Sequence, residues 1–114
     1  TGDAGIPTET EILSAQATAN KTTTQNNSIF KNISVDVLKL GHHGSRTSSS
    51  EAFLEAVHPN TAIISAGCDN SYGHPHKEVV DRINELKIIS LATCTSGTIT
   101  FYTDGNVLSR KTEK

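Results

Sequence analysis

The stretch Val35-Asp36-Val37-Leu38-Lys39-Leu40-Gly41-His42-His43-Gly44-Ser45 decides the architecture: a short apolar run stops at a glycine turn that carries two adjacent histidines. A rigid strand ending in such a turn can aim imidazoles into a cleft. Downstream, residues 50–57 read as a short helix with Ser48, Ser49 or Ser50 as N-cap. Residues 62–65 read as a second, buried strand. Val79, Val80, Ile83 and Leu86 fall at helical spacing after Pro75, which predicts a helix over 76–87. A third strand follows at 88–92. Strands alternating with helices predict an α/β layer with right-handed crossovers. Alternation in 97–102 and 107–110, on either side of Thr103-Asp104-Gly105-Asn106, predicts a terminal hairpin.

Upstream, residues 9–19 are rich in helix formers, and Pro7 suits a helix start. Residues 20–32 form a Thr/Asn/Ser/Lys tract that reads as a flexible polar loop. Thr1-Gly2-Asp3-Ala4 reads as the end of a turn and is taken as a cut edge. The whole of 1–114 is expected to be one partial domain with a thin core, given 34% hydrophobic residues and no Trp or Met.

Ten Lys and Arg against twelve Asp and Glu give a net charge of -2, with no basic run to make a broad phosphate-binding face. That counts against nucleic-acid binding by charge alone. No apolar stretch approaches the roughly 20 residues of a membrane helix. Cys68 and Cys94 show neither zinc-ribbon nor redox spacing, and each is expected to be a buried free thiol. They leave the compartment open, as does the rest of the sequence.

Four of the five histidines lie in two strand-to-helix connections, Gly41-His42-His43-Gly44-Ser45 and Tyr72-Gly73-His74-Pro75-His76. In an open α/β sheet the carboxyl ends of the strands are where ligands bind. Neutral imidazole is a common ligand of zinc and neighbouring divalent ions. His42 and His43 are therefore candidate metal ligands, set against a polar surface turn. His74 and His76 stand at a helix entrance, where backbone N–H groups and the helix dipole favour an anion. Asp3 is a candidate bridging carboxylate, set against a plain turn residue. His58, between a helix and the next strand, reads as structural. The serines lack a serine-hydrolase setting.

Together, Thr1-Gly2-Asp3-Ala4, the 36–45 segment and Tyr72-Gly73-His74-Pro75-His76 resemble the metallo-β-lactamase-like domain of the ComEC/Rec2 competence proteins. The resemblance implies the C-terminal half of an αββα sandwich with a metal cleft along one sheet edge. It implies two zinc ions, or manganese or iron, in a complete protein, with Asp3 and His43 as ligands and His42 as the alternative. By the same resemblance His74 would be a catalytic and phosphate-facing residue, with Ser45 and His76 also toward substrate. The reaction implied is metal-dependent hydrolysis of a phosphodiester, in a nucleic acid or a related substrate.

The family's first-half signature, His-x-His-x-Asp-His, does not occur in this sequence. This chain alone is therefore expected to be inactive and to need an N-terminal half as partner, with a homo-oligomer through an exposed sheet edge as a further expectation. The parent protein is expected to be membrane-anchored or exported, or else simply cytosolic. A non-catalytic anion or nucleic-acid binding module and a structural half-domain are the rival readings.

Overall fold

The computed structural model describes residues 2–22 and 33–114, the side chains of 17–22 excepted. The chain is mixed α/β. It runs α1 (Ile6–Thr22), β1 (Val37–Lys39), a turn at Gly41–Gly44, α2 (Glu51–Val57), β2 (Thr61–Ile64), α3 (Lys77–Glu85), β3 (Ile89–Ala92), α4 (Thr93–Ser96), β4 (Thr98–Thr103) and β5 (Leu108–Glu113). The first three strands form a parallel sheet in the order β1-β2-β3, and β4 and β5 form a separate antiparallel pair. No helix among the described residues is long and apolar enough to cross a membrane.

The register sorts the sheet into two unlike faces. Leu38 pairs with Ala62, and Leu40 and Ile64 follow two residues on, so all four share a face because side chains alternate along a strand. They are buried together with Phe53, Leu54 and Val57 of α2 and Val79 and Ile83 of α3. The opposite face carries Val37, Thr61 and Ile89 in one row and Lys39, Ile63 and Leu91 in the next. That face is only partly covered, and Ile89 is 55% exposed.

Helix boundaries follow local chemistry. Ser50 is the N-cap of α2, its hydroxyl accepting from the Phe53 N–H at 3.2 Å. His58 ends the same helix in a left-handed conformation, donating its N–H to Leu54 O, which keeps it at the sheet edge away from the other histidines. α1 begins one residue before Pro7 and extends through Thr22, so residues 20–22 of the expected loop are helical and residues 23–32 lie outside the described residues. His76 is the N-cap of α3 rather than its first turn.

Two features depart from expectation. Cys68 and Cys94 are not free thiols: they form a disulfide with Cα atoms 4.9 Å apart, joining the loop after β2 to α4. Their separation in sequence hides the fact that both follow the ends of neighbouring parallel strands. The second is Glu9, 1% exposed. Its carboxylate accepts the N–H groups of Ser49 and Ser50 just ahead of α2, the latter at 2.9 Å. Here a side chain from another helix satisfies backbone donors and places negative charge at a helix start.

Glu9→Ala orphans two backbone donors, one on a buried residue, and is expected to lower folding stability by roughly 2–3 kcal/mol, read as a shift in the urea midpoint. A shift as small as that of a surface substitution would show that water replaces the carboxylate. At the hairpin tip, Asp104 Oδ1 accepts the N–H groups of Val107 and Asn106, each at 2.8 Å. These bonds hold its carboxyl below the usual 3.8. Because the folded value is depressed, the contribution is complete above that ordinary value and lost as pH falls through the folded one. Amide protection at Val107 should therefore drop on acidification in the native chain and be pH-independent, and lower, in Asp104→Ala.

Candidate functional site at the histidine edge

The site is built from three segments at the carboxyl ends of β1 and β2. The first is the turn after β1, where His42 (φ 46, ψ 45) and His43 (φ 56, ψ 23) are both left-handed. Left-handed backbone is uncommon outside glycine, and a consecutive pair persists only where its surroundings dictate it. Here they do. The His42 N–H donates to Gly2 O at 2.7 Å, and Gly41 packs so closely that an added Cβ would lie 2.9 Å from Ala4 O. The second segment, Gly2 to Gly5, is thereby held against the histidine turn, which places exposed Asp3 at its side.

The third segment is the connection from β2 to α3. Gly44, at φ +82, admits Pro75 at a distance where a Cβ would approach Pro75 Cβ to 2.8 Å. The peptide preceding Pro75 is cis. The His76 N–H donates to Gly44 O at 3.0 Å. This clamp brings four rings together, with centroids 5.5 Å apart for His42 and His74, 6.2 Å for His43 and His74, and 4.8 Å for His74 and His76. His74 sits at the centre, and Tyr72, 76% exposed, stacks on it at 5.8 Å.

Hydrogen bonds fix two of the rings in opposite tautomers. His43 Nδ1 lies 2.6 Å from Ser65 O. A carbonyl can only accept, so Nδ1 carries the proton and the Nε2 of the neutral ring keeps its lone pair. At His76 the Arg46 backbone N–H donates to Nδ1 at 2.9 Å, which puts the proton of the neutral ring on Nε2. One ring thus offers an electron pair and the other a proton. His42 Nδ1 is 3.5 Å from the Thr47 hydroxyl. Desolvation, and then the neighbouring His76, His42 and His43, hold the His74 pKa below its usual 6.5.

Of the residues expected at the site, the structure brings His42, His43, His74 and His76 into one cluster and sets the Asp3 turn beside it. Ser45 is buried, and its hydroxyl is tied to that of Thr47 at 2.9 Å. The His43 ring nitrogen bound to a carbonyl has the arrangement that also orients metal-ligating histidines. Among the described residues no three His, Cys, Asp or Glu side chains are placed together to hold an ion. The Ser65 carbonyl, the Arg46 N–H and Asn70 were not anticipated as partners. Their only sequence signal is that Ser65-Ala66-Gly67 follows a strand ending at the same edge as the histidine turn.

The chain is similar to competence proteins. It is 48% identical to ComE operon protein 3 of Bacillus subtilis over 73 residues, which is 64% of this chain and 9% of that protein. It is 45% identical to Recombination protein 2 of Haemophilus influenzae over 65 residues, 57% of this chain and 8% of that protein. With Competence protein ComA of Neisseria gonorrhoeae it shares 47% identity over 70 residues, 61% of this chain and 10% of that protein. The chain therefore spans about a tenth of the length of the curated relatives it matches. No protein-family model and no solved structure matches it.

The two left-handed histidines yield a direct test of backbone constraint. Alanine and glycine both remove the ring, but only glycine tolerates φ near +46. His42→Gly should be more stable than His42→Ala by about 1 kcal/mol, measured by denaturant titration. Equal stabilities would mean that the turn relaxes out of the left-handed region.

Proposed function

We propose that this chain forms one wall of a phosphodiester-cleaving site in a DNA-uptake protein, as the C-terminal half of a metallo-β-lactamase-type sandwich. The observation that carries the reading is the histidine cluster at the carboxyl edge of the parallel sheet, with His43 and His76 held in opposite tautomers. Two further observations support it: the similarity to competence proteins, and the partly covered sheet face with its exposed Ile89. Parallel sheets are normally covered on both faces, and a second sheet packed on this one would do so.

In this reading His43, with His42 as the alternative, and Asp3 contribute to a divalent metal site of zinc, manganese or iron that residues outside this chain complete. Such a cation supplies Lewis acidity toward a phosphoryl oxygen. The chain's own residues do the rest. The Nε2–H of His76 donates to a non-bridging phosphate oxygen beside the start of α3, whose dipole favours an anion. His74 is held neutral by its surroundings. An arriving anion reverses that bias, because a nearby negative charge stabilises the protonated ring. His74 thus takes up a proton as substrate binds and can pass it to the leaving oxygen.

The test uses the full-length protein that contains this segment, assayed for hydrolysis of bis(p-nitrophenyl) phosphate and single-stranded DNA with added zinc or manganese. His43→Ala and His74→Ala are each expected to lower kcat/KM by at least about a hundredfold, and the 114-residue chain alone is expected to show no turnover. Unchanged rates in both variants would overturn the proposal. Phosphate binding without turnover in the full-length protein would assign the cluster to an anion-binding module instead.

A further inference from the structure

We infer that the Cys68–Cys94 disulfide, acting with Thr93 and Asn70, positions the histidine cluster, so that its oxidation state governs how His43 and His74 are aimed. The inference rests on where the bond lies and holds whatever the site binds. His43 takes its orientation from Ser65 O, which belongs to the loop leaving β2. That loop has two supports. On one side the Thr93 hydroxyl accepts the Ala66 N–H at 3.2 Å and lies 3.2 Å from Ala66 O, and the disulfide ties Cys68 to the residue after Thr93. On the other side Asn70 Nδ2 donates to Gly67 O at 2.7 Å and to His74 O at 2.6 Å, while Asn70 Oδ1 accepts the His74 N–H at 2.8 Å.

The segment from Ser65 to Asn70 is thus a bridge between the carbonyl that orients His43 and the backbone of His74, stapled to α4 at Cys68. The packed core lies on α2, α3 and the buried sheet face and contains neither cysteine. Opening the staple should therefore loosen the bridge and leave the core folded. Reduction by a dithiol transfers two electrons and two protons to the sulfurs, giving two thiols and the oxidised dithiol, and it forms no bond to any histidine.

Nitrogen-15 NMR of the histidine rings and amide hydrogen exchange on the 114-residue chain read this directly. In the oxidised chain His43 should show one tautomer, protonated at Nδ1. After reduction with dithiothreitol, or in Cys68→Ser/Cys94→Ser, its ring shifts should move toward a tautomer mixture. The Ala66 amide should exchange at least about tenfold faster, while Val79 and Ile83 keep their protection. Thr93→Val should reproduce the change at an intact disulfide, and Thr93→Ser should restore the native pattern. Unaltered His43 nitrogens and Ala66 exchange in the reduced chain would overturn the inference. Were reduction to unfold the core, Thr93→Val decides, and native His43 ring shifts in that variant would overturn it equally.

Discussion

The histidine edge depends on the close approach of Gly44 and Pro75. A Cβ at residue 44 would lie 2.8 Å from the proline ring, and the backbone there is at φ +82, so only glycine permits both the conformation and the contact. Because that contact forms, the β2–α3 connection folds down onto the turn after β1. The His76 N–H then reaches Gly44 O, and Arg46 reaches the His76 ring. The tautomer of His76, the placement of His74 between its neighbours and the starting point of α3 all follow. A glycine whose own side chain does nothing therefore sets the chemistry of two residues some thirty positions downstream.

Features governed by local periodicity were legible in the sequence. The helix after Pro75 was marked by Val79 and Ile83, both of which proved to be core residues, and the three short strands by their apolar runs. The grouping of four histidines was legible because each pair follows a strand end and parallel strands bring their carboxyl ends together. What escaped was set by contacts between distant positions. Glu9 reads as one more residue of a stretch rich in helix formers, yet it satisfies amides 40 and 41 positions away. The disulfide was missed because Cys68 and Cys94 show no motif, and only the pairing of β2 with β3 makes them neighbours. Tautomers were never readable, since they depend on which backbone group meets which ring nitrogen.

Grouping four imidazoles has an electrostatic consequence. At the centre of the group His74 loses solvent and faces His76, His42 and His43, and together these hold its pKa below the usual value. At His74 the neutral form is thereby favoured, and an anion beside the ring would act in the opposite sense. In the neutral rings His43 keeps a lone pair on Nε2 and His76 keeps a proton there.

The two sheet faces bear on how such a cluster could be completed. The buried face closes the core with α2 and α3, and nothing in its packing requires a further partner. The other face sets half-buried Val37, Ile63 and Leu91 and exposed Ile89 in adjacent rows, so that it is only partly covered. Apolar side chains placed there gain burial only if another layer is added. Such a layer would lie along the same three strands, of which β1 leads into the turn that carries His42 and His43. Of the two faces, the one with half-exposed Ile89 is therefore the one on which a further layer would gain apolar burial.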